Sequence, residues 1–315
     1  MSAAMDSRYV HICDVGLRDG LQNQPERVST GDKLAILEAL KRAGLREFEI
    51  GSFVRPDRVP QMSDTDQLFG EVSADGDHQY MGLVPNMAGY RRAAAVGAGK
   101  IALVLAATDT LNERNIGMDT ARALEVAREV IAAAKADGVI VRAYVAAACG
   151  CPYEGDVAAG RVRDLTGRLL ADGADEVCIA DTIGAGNPAD AGELFRSLVE
   201  AYGGGQLVVH LHDTRALGLA LAWTAVQTGL RRFDSSIAGL GGCPFAPGAS
   251  GNLATEDLVL MLHQCGYETG VNQDALVEAV DLVGRILGRS VGGRMLPWWR
   301  SRKALQKNGG TPCPA

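Results

Sequence analysis

No stretch of this chain approaches the roughly 18 apolar, uncharged residues that a membrane-spanning helix needs, so an α-helical membrane protein is excluded. The N-terminal segment MSAAMDSRYVHICD has no basic region leading into an apolar core, and no secretory leader is expected. Positive charge is in deficit: 31 Lys and Arg against 38 Asp and Glu leave a formal net charge of −7. That balance argues against a protein that tracks a nucleic-acid backbone. Cysteines are few and odd in number, at positions 13, 149, 151, 178, 243, 265 and 313, which is no disulfide framework. Cys149 and Cys151 lack the spacing of a zinc knuckle, and no second pair completes one. A G-x-G-x-x-G turn after the first strand is missing, as is the lysine of a P-loop. What remains is a soluble α/β protein of the cytoplasm, with no nucleic-acid or membrane partner.

Hydrophobic residues make up 47% of the 315 and charged ones 22%, enough apolar content for a large core. One device recurs along the chain: a helix-like run ends in Gly, and a short apolar run follows within a few residues. It is centred on Gly44, Gly97, Gly138, Gly173 and Gly229, where glycine supplies the left-handed conformation that closes a helix. Ile36, Leu37, Leu40 and Ala43 form an apolar stripe at helical spacing behind a cap of Ser29 and Asp32. Leu124, Ala127, Ile131 and Ala134 repeat the pattern. Strands are predicted near 9–14, 46–51, 80–84, 101–106, 140–146, 176–181, 207–212 and 233–238. Eight nearly continuous apolar strands alternating with helices are the arithmetic of a (β/α)8 TIM barrel. One domain is expected, with the barrel over roughly 9–265 and helices and a tail over 266–315. In that tail Trp298 and Trp299 could pack on the barrel or cover a partner.

Barrel chemistry sits where strands end, and these ends are rich in ionisable groups. They include Arg18 and Asp19 after the first strand, and Glu49 and Ser52 in the second. Asn86 follows the third strand, Thr108 and Asp109 the fourth. Arg142 and Tyr144 belong to the fifth, Asp181 to the sixth, and His210, His212 and Asp213 to the seventh; Cys243 and Asn252 follow the eighth. Residues i and i+2 of a strand share a face, so His210 and His212 can reach one metal ion, unless one of them is an ordinary barrel residue. Two nitrogens with oxygens such as those of Asp19 and Asn252 would suit Mg²⁺ or Mn²⁺. Arg18 and Asp19, right after a buried strand, place a fixed cation beside a carboxylate, unless they form an ordinary turn salt bridge. Glu49, inside the apolar run FEIGSF, needs a partner, and Arg18 is the natural one. The segment GLGGCPFAPGASGN at 239–252 reads either as a structural turn or as a loop that closes over substrate and delivers Cys243.

Seven segments carry a family resemblance: RDGLQNQ at 18–24, SFVRPDRVPQMSDT at 52–65, VPNMAGY at 84–90, GCPYEG at 150–155, ADTIGAGNP at 180–188, HLHDT at 210–214 and GLGGCPFAPGASGNLATEDLV at 239–259. The chain resembles the 3-hydroxy-3-methylglutaryl-CoA (HMG-CoA) lyases, within the metal-dependent barrel superfamily that also holds isopropylmalate and homocitrate synthases. The resemblance implies retro-Claisen cleavage of a 3-hydroxyacyl-CoA to acetyl-CoA and a keto acid, with a divalent cation as cofactor and an acyl-CoA as partner. It implies Asp19, His210, His212 and Asn252 as ligands, Asp19 or His210 as base, Arg18 as the cation facing the enolate and Glu49 as its support. Cys243 would be the proton donor. Gln22, Ser52, Arg142, Tyr144 and Asp181 are expected around the substrate. A homodimer or other homo-oligomer is the prior for such barrels.

The sequence departs from the lyase pattern at several points. The lyases usually read E-V-G-P-R-D-G where Asp14 and Leu17 stand here, and those two residues are usual in the aldolases and synthases. Thr108, Asp109 and Leu111 replace a segment ending in an aromatic, Ala146 a small hydroxyl residue, Ala216 a Gly and Leu221 an Asn. These changes leave open a related substrate, such as citramalyl-CoA or a longer 3-hydroxy-3-alkylglutaryl-CoA, or a synthase that condenses an acyl-CoA with a 2-oxo acid. The Cys243 loop opposes the synthase. A non-enzymatic relative would be expected to have lost one of Arg18, Asp19, His210, His212, Cys243 or Asn252, and all are present.

Overall fold

The computed structural model describes residues 8–72, 76–242 and 251–307. Eight strands close a barrel in sequence order, every neighbouring pair parallel. They are β1 (His11–Asp14), β2 (Glu47–Ser52), β3 (Gln79–Leu83), β4 (Lys100–Ala106), β5 (Ile140–Ala146), β6 (Glu176–Asp181), β7 (Leu207–Leu211) and β8 (Arg232–Ser235). Helices return the chain between them: α1 (Thr30–Arg42), α2 (Thr65–Glu71), α3 (Met87–Ala95), α4 (Asp109–Ile116), α5 (Thr120–Ala136), α6 (Ala159–Ala171), α7 (Pro188–Tyr202) and α8 (Gly218–Gln227). After β8 come α9 (Thr255–Gln264), α10 (Gln273–Leu287) and α11 (Leu296–Lys307). Among the described residues no helix is long and apolar enough to cross a membrane.

The five joint glycines all have positive φ, from 72° at Gly97 to 103° at Gly173, so each closes its helix as the spacing predicts. Ser29 caps α1 by accepting from the Asp32 N–H. Ile36, Leu37, Leu40 and Ala43 are buried against the barrel, with α10 lying alongside α1. At the far end of the chain the Trp299 indole donates to Asp274 of α10, while Trp298 is 40% exposed. α11 is therefore pinned to α10 through one of the paired tryptophans.

Inside the barrel the side chains stack in layers. The floor is ionic: Lys100 and Arg142 bridge Glu47 and Glu176, Arg232 joins the same two carboxylates, and Arg142 also donates to Asp234. Three cations meet three anions, so each buried charge faces an opposite one. Above it lies an apolar layer of Cys13, Val15, Met81, Leu83, Ala102, Cys178, Ala180 and Val208 around Tyr144. A cavity of about 480 Å³ opens at the floor end, edged by His11, His78, Glu47 and Arg232. It lies at the opposite end of the strands from the His210–His212 pair.

The predicted eighth strand overshoots. β8 ends at Ser235, because the Ser236 N–H turns away to the Leu253 carbonyl and Ala238 adopts φ 60°. A second strained alanine follows β7: Ala216 has φ 61° at the position where the lyases usually carry Gly. A left-handed conformation costs a residue with a Cβ about 1–2 kcal/mol, part of which glycine returns as chain entropy. Ala216→Gly is expected to raise unfolding stability by about 0.5–1 kcal/mol, read from a urea midpoint at unchanged m-value. An unchanged or lower midpoint would show this turn to be unstrained.

Candidate active site

Arg18 and Asp19 leave β1 on a π-helical turn, Gly16–Gly20, in which the N–H groups of Arg18, Asp19 and Gly20 all converge on the Val15 carbonyl. The turn fits only because its first and last residues are glycine. A Cβ on Gly16 would lie 2.7 Å from Ile237 Cγ2, and one on Gly20 2.8 Å from Ser236 Oγ. Single-turn π distortions concentrate at functional sites, where they re-aim side chains. Here the turn aims Arg18 and Asp19 into the barrel mouth. Arg18 donates to Glu49 Oε2 at 2.7 Å and to Asp19 Oδ1 at 2.7 Å. Glu49 is fully buried, and burial pushes its carboxyl up to about 7 even against the pull of Arg18. Burial acts on Asp19 too, but Arg18 and the two imidazoles outweigh it and hold this carboxyl well below the usual carboxylate range.

Facing that turn, β7 delivers His210, and His212 follows one residue beyond the strand. Their Nε2 atoms lie 3.9 and 3.8 Å from Asp19 Oδ2. One ligand atom from each of Asp19, His210 and His212 falls within 4.8 Å of the others. Asn252 closes the group: its Nδ2 donates to Asp19 Oδ2 at 2.7 Å and to the Leu240 carbonyl. Its Oδ1 is buried with no partner among the described residues. Two imidazoles, a carboxylate held ionised and an unspent amide oxygen are a donor set that fits a divalent cation. An orphaned buried acceptor otherwise costs about 1–3 kcal/mol.

The other expected site residues divide. Tyr144 is buried, its ring edge-on to His210 at 6.1 Å, and its hydroxyl donates to Asp234 rather than to the mouth. Gln22 sits half-buried just beyond the π turn. Ser52 ends β2 with its Oγ buried and without a partner among the described residues. Both Asp181 oxygens accept backbone N–H bonds, from Ala185 and Gly186, so this carboxylate shapes the β6–α7 turn. Arg142 is not at a strand end. It is the third residue of β5, locked by Glu47, Glu176 and Asp234 in the floor network. Cys243 falls outside the described residues; the described flanks of its loop, Gly242 and Gly251, lie beside Asn252, and a Cβ on Gly251 would come within 2.8 Å of the Gly242 nitrogen.

The departures from the lyase pattern sort by place as well. Asp14 Oδ1 accepts from the Gly16 N–H and Oδ2 from the Thr255 hydroxyl, so it ties the end of β1 to α9. Burial pushes its carboxyl up to about 6. Leu17 and Leu221 are buried in the main core. Leu111 and Ala146 instead join Ala106, Ala147 and Cys151 in a separate apolar cluster at the ends of β4 and β5. There the Thr108 hydroxyl donates to Cys151 Sγ.

The HMGL-like family model matches residues 9–283. The chain belongs to that family. It is 40% identical over 287 residues to the cytoplasmic 3-hydroxy-3-methylglutaryl-CoA lyase of Danio rerio, covering 91% of this chain and 86% of that one. It is 38% identical over 294 residues to a hydroxymethylglutaryl-CoA lyase of Bacillus subtilis, 93% and 98% of the two chains. Among solved structures, the B. subtilis HMG-CoA lyase superimposes with a TM-score of 0.90 at 37% identity, over 93% of this chain and 98% of that one. An HMG-CoA lyase of Acinetobacter baumannii in complex with coenzyme A and 3-methylmalate gives 0.88 at 34% identity over the whole of both chains.

Proposed function

We propose that this chain is a divalent-metal lyase that cleaves 3-hydroxy-3-methylglutaryl-CoA to acetyl-CoA and acetoacetate. The observation that carries it is the convergence of Asp19, His210, His212 and Asn252 beside Arg18 in a member of this family. Mg²⁺ or Mn²⁺ held by those four residues would supply Lewis acidity that eases loss of the proton from a chelated hydroxyl. Asp19 or His210 takes the proton from the C3 hydroxyl. The O–H electrons form the new ketone, the C2–C3 bond breaks, and its electron pair moves onto the thioester as an enolate. Arg18, kept cationic and aimed by Glu49, stands where that negative charge develops. Cys243 then gives its thiol proton to C2, releasing acetyl-CoA.

Neither residue that favoured a synthase belongs to this site: Asp14 anchors α9 and Leu17 packs in the core. A second reading concerns the branch at C3. The small apolar group Ala106, Ala146 and Ala147 at the ends of β4 and β5 supports tolerance of a chain longer than methyl. The test is product analysis with three substrates: HMG-CoA, its 3-ethyl homologue and citramalyl-CoA. Equal amounts of acetyl-CoA and acetoacetate from HMG-CoA are expected. A kcat/KM for the ethyl homologue within about tenfold of that for HMG-CoA fits the size of a one-methylene difference in an apolar site. Turnover of citramalyl-CoA alone would overturn the substrate assignment.

A further inference from the structure

The floor network and the metal-ligand group are joined at one residue. Asp234, in the middle of β8, is buried and its two oxygens are shared among four groups, those of Arg142, Tyr144, His210 and Cys178. Oδ1 accepts from Arg142 Nη1 at 2.7 Å, Oδ2 accepts from the Tyr144 hydroxyl at 2.7 Å, and His210 Nδ1 lies 3.3 Å from the same Oδ2. Arg142 is itself immobilised by Glu47 and Glu176, so Oδ1 has a fixed support, while Oδ2 is shared by Tyr144, Cys178 and the His210 imidazole. Nothing in the sequence singled out this aspartate.

We propose that Asp234 is the positioning residue of the site: it fixes the His210 ring with its proton on Nδ1, so that the Nε2 lone pair faces Asp19 and the space between the two histidines. The chemistry is directional. A carboxylate only accepts, so an imidazole nitrogen next to it carries the proton. In the neutral ring the opposite nitrogen is then bare, and it is this Nε2 that lies 3.9 Å from Asp19 Oδ2. Carboxylates that hold the far nitrogen of a ligating histidine in this way set both ring orientation and ligand strength. Tyr144 and Arg142, expected at the substrate, both donate here to Asp234, and the Tyr144 ring also packs edge-on to His210. The inference rests on His210 being a ligand, as the proposed function has it, but it concerns the state of the imidazole before any ion binds.

Asp234→Asn is the decisive variant. Arg142 can only donate, so the amide oxygen must stay on Arg142 and the NH₂ must face Tyr144 and His210. That NH₂ donates to Nδ1 and moves the ring proton to Nε2, blocking the ligating lone pair. Two readouts follow. In metal-free protein labelled with ¹⁵N-histidine, the His210 resonances should report an Nδ1–H tautomer in the unsubstituted chain and an Nε2–H tautomer in the variant. With five histidines, assignment by substitution is direct. Calorimetric titration with Mn²⁺ should show the Kd raised about 10- to 100-fold. Cys178→Ala is the control: Cys178 Sγ also approaches Asp234, at 3.8 Å, and its loss disturbs packing but no bond to His210. Its Kd should stay within about threefold of the original.

An Nε2–H tautomer in the unsubstituted protein overturns the proposal by itself, even if Asp234→Asn fails to fold. So does a folded Asp234→Asn that keeps both the Nδ1–H tautomer and the original Kd, or a Cys178→Ala that weakens Mn²⁺ as much. Absence of Mn²⁺ binding to the unsubstituted protein, with the tautomer as expected, would instead count against the metal-dependent function.

Discussion

Alanine in place of Cys243 is expected to cut acetyl-CoA release from HMG-CoA by about 10²- to 10⁴-fold, the range a positioned general acid contributes, while Mn²⁺ binding stays unchanged. The expectation follows from a division of labour. The proposed ligand atoms lie on β7, at His212 just beyond it, on the turn after β1, or at Asn252, so removing a thiol from the intervening loop should take away no ligand. The two flanks of that loop end at the site: Gly241 lies so close to Asn252 that a Cβ on it would sit 2.5 Å from Nδ2. Cys243→Ser separates the proton from the bulk of the side chain, because a hydroxyl fills the space but is a weaker acid. A rate within twofold of the original for either variant would take Cys243 out of the mechanism.

His212→Ala is expected to do the reverse, with loss of metal first and turnover only as a consequence. Removing a partner that merely orients a ligand costs about 10- to 100-fold in affinity. Removing a ligand itself should therefore raise the Mn²⁺ Kd by more than about 100-fold. The geometry makes the effect specific. His212 Nε2 stands 3.8 Å from Asp19 Oδ2, whereas Arg18 binds Asp19 through Oδ1 and Glu49 through Oε2, so the alanine should leave those bonds intact. Excess Mn²⁺ should restore part of the activity in this variant and none in Cys243→Ala. Normal metal occupancy in His212→Ala would remove this residue from the ligand set.

The barrel was legible because its joints are written in residue types with one physical use. A glycine after an apolar helical stripe closes the helix, and Gly44, Gly97, Gly138, Gly173 and Gly229 all do so. His210 and His212 were legible for a similar reason, since a spacing of two on extended chain fixes a shared face whatever the register, although β7 itself stops at Leu211, one residue short of the predicted end. Arg142 was misplaced because depth along a strand is a property of register. Its pairing across from Ala102 and Glu176, invisible in one sequence, puts it near the floor. Asp234 was missed for the complementary reason. In RFDSS the carboxylate looks like an ordinary polar residue at a strand edge, and only the closed barrel brings it to Arg142, Tyr144 and His210, which lie 92, 90 and 24 residues away along the chain. Asp14 shows that neighbours in sequence need not share a role. It stands in the motif beside Arg18 and Asp19, yet its bonds go to Gly16 and Thr255, so a residue next to the chemistry in sequence serves packing in space.

With Asp19, His210, His212 and Asn252 as ligands, cleavage should depend on a divalent cation. The direct measurement is the rate of acetyl-CoA release from HMG-CoA by protein stripped with a chelator, followed through stepwise return of Mg²⁺ or Mn²⁺ with bound metal counted at each step. Negligible release is expected from the stripped protein, with a rate that rises in proportion to occupancy, up to one ion per chain. Full activity in folded, metal-free protein would contradict that dependence.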